Sequence, residues 1–200
     1  YGGPDQTFVA AYLNPVQFFY ASQRNQGIEM NGFWQINLFL KPFDNTGIFV
    51  DLMADDIIVN NESGIDDRAV HPDRLGVLVK LSRARQKSQT LMSVRYVRIW
   101  NDTYTSYRTF ENYTYFKKGL GFPMNSYEGV KIGYSVLKYY PLFIQSDLEL
   151  WRHGDRNLVD PFHDELNSFP VGPVEYGASA HLYVSRFWSK GVEVELDYNV

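Results

Sequence analysis

The sequence predicts an all-β protein, in which this chain forms about eight or nine strands of an antiparallel, up-and-down transmembrane β-barrel. Three observations support this fold class. Apolar and polar side chains alternate with a period of two over most of the 200 residues. Short and long connections follow one another in turn. The strands run to about 9–11 residues, the length that a tilted strand needs to cross a bilayer.

The first predicted hairpin joins alternating strands at 34–40 and 48–52 through a loop at 41–47. A shorter strand is predicted ahead of it at 16–22. Each strand places its apolar residues on one side only, so the pattern describes a sheet with one apolar face.

The second hairpin pairs a strand at 75–81 with one at 92–96 across the polar turn 83–88. The alternation slips near Tyr96 and Val97. A β-bulge adds one residue to one strand and would restore the alternation, so we expect a bulge there.

A third hairpin is predicted from strands at 130–136 and 142–150, and a fourth from strands at 174–184 and 192–200. In the last strand, valine, leucine and tyrosine alternate with glutamate, aspartate and asparagine without a break. These two hairpins repeat the unit seen in the first half of the chain.

The long connections lie at 60–74, 101–127 and 152–173. Consecutive antiparallel strands reverse direction, so all long loops fall at one end of the sheet and all short turns at the other. This asymmetry is typical of outer-membrane barrels, whose long loops face the outside.

A soluble sandwich or a lipocalin-like barrel shows the same alternation and is an alternative. Two features favour the membrane barrel. Aromatic residues cluster near strand ends, as in interface girdles; they are Trp34, Tyr139, Tyr140, Trp151, Phe187 and Trp188. Charged residues lie mid-strand on the opposite face, as in a wet lumen; they are Asp51, Lys80, Lys131, Asp147 and Glu195.

Composition excludes several classes of function. Cysteine is absent, so disulfide scaffolds, cysteine-ligated zinc and thiol catalysis are ruled out. The formal net charge of −4 offers no electrostatic footprint for nucleic acid, and we expect no nucleic-acid partner. We likewise expect no cofactor and no catalytic residues.

Several strings, taken in order, resemble the Wzi-like capsule-assembly family of outer-membrane β-barrels. They are YLNPVQFFY at 12–20, NGF at 31–33, LFLKPF at 38–43, FVDLMADDI at 49–57, the stretch 95–105, ENYTY at 111–115, GLGFP at 119–123, LWRHGDRNL at 150–158 and DPF at 160–162. Members of that family are longer and carry a signal peptide. The resemblance therefore implies that residues 1–200 are one barrel segment, a C-terminal or internal fragment that lacks the N-terminal part.

The resemblance implies a non-catalytic barrel in the outer membrane of a Gram-negative bacterium. Its function would be assembly or surface attachment of capsular or extracellular polysaccharide. The expected partners are that polysaccharide and outer-membrane lipid. Two alternatives stay open: a porin-like solute channel, and a soluble carbohydrate-binding β-domain.

An aromatic loop and a late strand end supply the predicted glycan contacts. Aromatic ring faces with polar neighbours suit sugar rings. The predicted contacts are Trp100, Tyr104, Tyr107, Arg108, Tyr113, Trp151, Arg152 and Asp155. The alternative is that these rings pack the loop onto the barrel mouth or lie at the membrane interface.

Two acidic groups are candidate cation sites. One group lies at the end of a strand and consists of Asp51, Asp55 and Asp56. The other is a loop from His153 to Glu165 that holds several possible oxygen and nitrogen ligands. We favour a structural reading of both: a rim cluster neutralised by arginines from neighbouring strands, and a solvated outer loop. No metal site is therefore predicted.

Overall fold

The computed structural model describes residues 34–56, 74–105, 114–115, 118–119, 121–158, 168–187 and 193–199. Within these residues the chain is all-β, with one large antiparallel sheet and one two-stranded ribbon. No helix of the length and apolarity that crosses a bilayer occurs in these ranges.

Most strands pair with the next strand along the chain. The described strands are β1 Trp34–Phe43, β2 Thr46–Asp56, β3 Arg74–Arg85, β4 Thr90–Ile99, β5 Thr114–Tyr115, β6 Lys118–Gly119, β7 Tyr127–Val136, β8 Leu142–His153, β9 Glu175–Phe187 and β10 Glu193–Asn199. The main sheet has eight strands in the order β1-β2-β3-β4-β7-β8-β9-β10. β5 and β6 pair with each other in the connection between β4 and β7.

The up-and-down antiparallel topology predicted from the alternation is confirmed for this sheet. Closure into a barrel is not seen: among the described strands, β1 and β10 form the two edges and do not pair with each other. The predicted strand at 16–22 lies outside the described residues.

The predicted bulge near Tyr96 and Val97 is wrong. β4 pairs with β3 and with β7 in unbroken register through both residues. The polarity pattern changes there for another reason: Tyr96 stays on the apolar side and its hydroxyl is bonded to a carboxylate, whereas Val97 is buried on the opposite side. The register shifts lie instead between Leu40 and Phe43 and between Ala54 and Asp56.

The strand registers define two faces of the sheet. On one, which we call the apolar face, two whole rows across β1 to β9 carry no charged side chain. One row is Leu38, Val50, Val79, Tyr96, Val130, Leu150 and Ala178; the next is Leu40, Ile48, Leu81, Val94, Ile132, Leu148 and Ala180. These side chains are open to the surroundings: Ile132 is 48% exposed and Leu150 56%.

The opposite side, which we call the polar face, carries cross-strand ion pairs. Arg95 lies 3.0 Å from Glu149 across β7, and Lys131 lies 3.6 Å from Asp147 on the neighbouring strand. Charged groups there can satisfy one another across strands because the register places them on one side.

A small core covers the polar face at the end where the long connections lie. The strands contribute Met53, Val97, Ile99 and Tyr127 to this core, and the connections contribute Tyr104 and Leu158. Leu78, Phe122 and Trp151 pack against this cluster. The tight packing of the described chain is therefore concentrated on one side and at one end of the sheet.

Candidate functional site

Buried polar side chains tie together the bases of the long connections. Asn125 Nδ2 donates a 2.6 Å hydrogen bond to the Asn101 carbonyl, and Ser126 Oγ donates a 2.9 Å bond to Asn101 Oδ1. Arg156 pairs with Asp102 at 3.4 Å. All five are buried. Because a buried polar group without a partner is costly, this network fixes the arrangement of the segments after β4, before β7 and after β8.

Tyr104 closes the connection after β4 onto the polar face. Its backbone N–H donates to Asp55 Oδ2 at 2.9 Å, and its hydroxyl donates to the Met53 sulfur at 3.1 Å. The same hydroxyl accepts a 3.0 Å bond from the Phe122 N–H. Burial raises the pKa of the Tyr104 hydroxyl to about 12. The backbone of Tyr104 lies in the left-handed region, with φ at 72°, which costs energy that these contacts offset.

Asp55 contacts a neighbouring strand and the connection after β4. Arg74, on the neighbouring strand β3, lies 4.0 Å from it and also donates a 2.8 Å bond to the Thr105 carbonyl. Asp51 accepts hydrogen bonds from Gln35 at 2.9 and 3.0 Å. In the described ranges, no group of three or more histidine or carboxylate side chains is placed to hold a metal ion.

Beside this anchored segment, the polar face holds a cleft of about 590 Å³. Aromatic, amide, imidazole and carboxylate groups line it. They include Tyr127, Glu149, Trp151, His153, Asn157 and Glu175. Because backbone and side chains from β7, β8, β9 and the segment after β8 all contribute, the cleft depends on the fixed loop bases described above.

The aromatic wall of the cleft rests on glycines. The Trp151 indole lies across Gly177, where an added Cβ would collide with the ring. The Tyr127 ring lies over Gly129 in the same way. The two rings stack with centroids 6.5 Å apart and planes inclined by 24°. Two glycines thus make room for both rings, and Trp151, backed by the buried Tyr127, presents the aromatic surface to the cleft.

Glu149 is held in place at the edge of this wall. Its Oε1 accepts a 3.0 Å bond from Arg95 and a 3.1 Å bond from the Tyr127 hydroxyl. A carboxylate fixed by a cation and a phenol serves as an oriented hydrogen-bond acceptor. With an aromatic wall and polar groups at the rim, the cleft has the chemistry that recognises a sugar ring, whose C–H face is apolar and whose edge is hydroxylated.

Of the predicted glycan contacts, those that the structure describes do not form one site. Trp151 lines the cleft. Arg152, the next residue, lies on the apolar face and bonds Glu128. Asp155 is exposed beyond the end of β8 and is not among the cleft-lining residues.

Two aromatic residues that follow β4, Tyr104 and Trp100, do not line the cleft. The expectation that Tyr104 contacts glycan is wrong in this conformation, since its ring is 0% exposed and forms part of the core. Trp100 packs against the Arg98 guanidinium on the apolar side, 4.6 Å from its ring centroid. Tyr107, Arg108 and Tyr113 lie outside the described residues.

Sequence reasoning missed most of the cleft, although a usable signal was present. Alternation in β8 places Glu149, Trp151 and His153 on one side of the strand and Arg152 on the other. The predicted strand at 142–150 stops before Trp151, whereas β8 continues to His153, so Trp151 and Arg152 lie on opposite faces and only Trp151 lines the cleft. Tyr127 enters the site by pairing opposite His153, which the length of the hairpin turn determines.

Comparison with known proteins gives no matching family model, no similar curated protein and no similar solved structure. The geometry of the sheet and the cleft therefore carries the functional argument.

Proposed function

We propose that this chain is part of a non-catalytic outer-membrane β-barrel that assembles or attaches capsular or extracellular polysaccharide at the bacterial surface. The observation that carries the proposal is the contrast between an exposed apolar face and a charged polar face on one antiparallel sheet. Lipid on one side and water on the other would satisfy both faces.

The dimensions of the apolar face support a membrane setting. On β7, apolar-face positions run from Val130 to Val136, which corresponds to ~20 Å along the strand. This is near the ~25 Å apolar band of outer-membrane barrels. Trp34 lies at one strand end and is 55% exposed, and Tyr139 and Tyr140 lie at a short turn and are also exposed. Exposed aromatic residues at both ends fit the two interfaces of a bilayer.

The soluble alternative fits the apolar face less well. A β-sandwich covers its apolar face with a second sheet. Within the part of the chain that the structure describes, all the extensive contacts between strands are between neighbours in the same sheet, and many apolar-face side chains are exposed. An apolar surface of this extent marks a site that contacts lipid or another protein.

The cleft supports the polysaccharide part of the proposal. It lies on the polar face at the long-loop end, where a barrel of this family would meet surface glycan. The core around Tyr104 covers the same end of that face, which favours a closed mouth over the open pore of the porin-like alternative. In this arrangement Trp151 would stack on a sugar ring, and Glu149, His153 and Glu175 would bond its hydroxyls.

Fractionation of cells that express the intact gene product tests the membrane setting. We expect the protein to stay in the membrane fraction through high-salt and alkaline washes and to leave only with detergent. A known peripheral protein in the same preparation is the control. Release by salt alone would contradict the proposal.

A further inference from the structure

Three charged side chains interrupt the apolar face at its long-loop end. Arg98, Glu128 and Arg152 are register partners on β4, β7 and β8, so they form one short row across the sheet. The next row toward the short turns begins with Tyr96, Val130 and Leu150. The charges therefore mark the border of the apolar surface.

The carboxylate in this row is engaged mainly by two of its neighbours. Arg152 Nε donates a 2.7 Å bond to Glu128 Oε2, and the Tyr96 hydroxyl donates a 2.5 Å bond to Oε1. Arg98 Nη1 lies 3.8 Å from Oε1, beyond hydrogen-bond distance, and Arg98 Nε has no hydrogen-bond partner. Most of the donors of Arg98 are thus not used by Glu128.

Aromatic rings hold the guanidinium groups in place. The Arg98 guanidinium carbon lies 4.6 Å from the Trp100 ring centroid and 4.0 Å from that of Phe169. The Arg152 guanidinium lies 5.7 Å from the same Phe169 ring. Stacking on aromatic faces orients the planar fork of an arginine and leaves its edge available.

The row leaves one positive charge unbalanced, since two guanidinium groups share a single carboxylate. The side chains remain accessible, with 30% of Arg98 and 37% of Arg152 exposed. Guanidinium groups match the geometry of phosphate oxygens and bind them through charge-assisted pairs. Because the row is continuous with the exposed apolar rows, whatever covers those rows also reaches the two arginines.

We propose that Arg98 and Arg152 bind the phosphate of an anionic lipid whose acyl chains lie along the apolar face. This inference rests on the proposed membrane setting. It adds the chemical class of the lipid that lies at the long-loop end of the apolar face. Trp100 and Phe169 then flank the headgroup, as aromatic residues do at membrane interfaces.

The test uses the full chain reconstituted in phosphatidylcholine bilayers that contain a minor fraction of phosphatidic acid. Native mass spectrometry of the protein released from these bilayers measures which lipid stays bound. We expect selective retention of phosphatidic acid, and about a tenfold loss in Arg98→Gln, as for removal of one charge-assisted pair. Arg98→Lys keeps the charge and should lose less. Arg83→Gln, on the same face near the short-turn end, is the matched control and should not change retention.

Glu128→Gln separates a lipid site from a purely structural ion pair. Removing the competing carboxylate should increase retention of phosphatidic acid, whereas a structural role predicts a decrease. Equal retention of both lipids, or an equal loss in Arg83→Gln, would overturn the inference. Displacement of the lipid by millimolar inorganic phosphate would indicate a free-anion site instead. Insertion into pure phosphatidylcholine is scored separately, so failure of the membrane proposal is distinguishable from failure of this one.

Discussion

Lys131 and Ile132 are neighbours in β7, yet they face surroundings of opposite character. Lys131 points to the polar face, where Asp147 pairs with it at 3.6 Å. Ile132 points to the apolar face, where 48% of its surface is exposed and the residues beside it are apolar as well. On the polar face, oppositely charged side chains pair with each other, and a buried core covers the face near the long loops. The apolar rows around Ile132 have neither device.

The described chain buries its apolar side chains mainly on the polar face. The buried cluster is confined to the polar face, so folding within the sheet depends on the loops that close over it. The apolar face contributes burial only when something outside the described residues covers it. Substitutions on each face separate these two contributions.

Tyr104→Ala removes the ring that joins the loop after β4 to the polar face. Loss of a buried aromatic side chain destabilises by ~3–5 kcal/mol, and the bonds to Met53 and Phe122 go with it. Urea unfolding in detergent, followed by circular dichroism, measures the change. Tyr139→Ala, at an exposed turn position, is the control and should change stability little. Equal effects of the two substitutions would contradict a core at Tyr104.

Ile132→Lys places a charge in the middle of the apolar face. In a bilayer this costs ~2–4 kcal/mol, so folding into phosphatidylcholine vesicles should be strongly reduced. The matched control is Ser179→Lys, which lies on the polar face opposite Glu149 in the register. Folding yield is measured by protease protection of the vesicle-bound protein. If both variants fold equally well, the apolar face does not contact lipid.

Trp151→Ala removes the aromatic wall of the cleft. We expect retention of the native surface polysaccharide to fall about tenfold, which corresponds to ~1.4 kcal/mol. Trp151→Phe keeps a ring and should retain part of the binding. Arg152→Ala, one residue away on the opposite face, should leave polysaccharide binding unchanged. A pull-down with labelled polysaccharide measures all three, and a loss in Arg152→Ala equal to that in Trp151→Ala would argue against the cleft.

A pH dependence from Tyr104 is expected only in strongly alkaline solution. Its pKa is raised to about 12 in the folded chain, against 10.0 ordinarily, because burial disfavours the phenolate. The contribution to stability is therefore complete below pH 10 and is lost as the pH rises from about 10 to 12, since only the unfolded chain ionises readily there. Stability measured from pH 9 to 12 should fall less steeply in Tyr104→Phe. Tyr139→Phe, with an exposed ring, should retain the wild-type slope.

Local patterns predicted the strands well because alternation and turn residues act over a few positions. The hairpin of β3 and β4, for example, follows from apolar residues at every second position on either side of a polar turn. The bulge expected at Tyr96 and Val97 is absent. The polar hydroxyl of Tyr96 lies on the apolar side, and in sequence this resembles a shift of register. The hydrogen bond from Tyr96 to Glu128 on the adjacent strand explains the pattern instead.

The site was predicted less well because it depends on contacts between distant segments. Nothing in the spacing of the aromatic loop distinguishes a ring that binds ligand from one that packs on Met53, some fifty positions earlier in the chain. The same holds for Asn125, which is fully buried and donates to the Asn101 carbonyl, 24 positions earlier in the chain. By contrast, once β8 extends to His153, strand alternation alone places Trp151 on the same face as Glu149.

The network of Asn101, Asn125 and Ser126 reverses the usual gradient of local stability along a hairpin. Connections normally open first, and their amides exchange with solvent faster than those of the strands. Here the long-loop bases are buried and hydrogen-bonded, whereas the turn at Tyr139 and Tyr140 is exposed. Amide exchange should therefore begin at the short turns and proceed toward the loops, so that the mouth of the cleft is the last part of the hairpins to loosen.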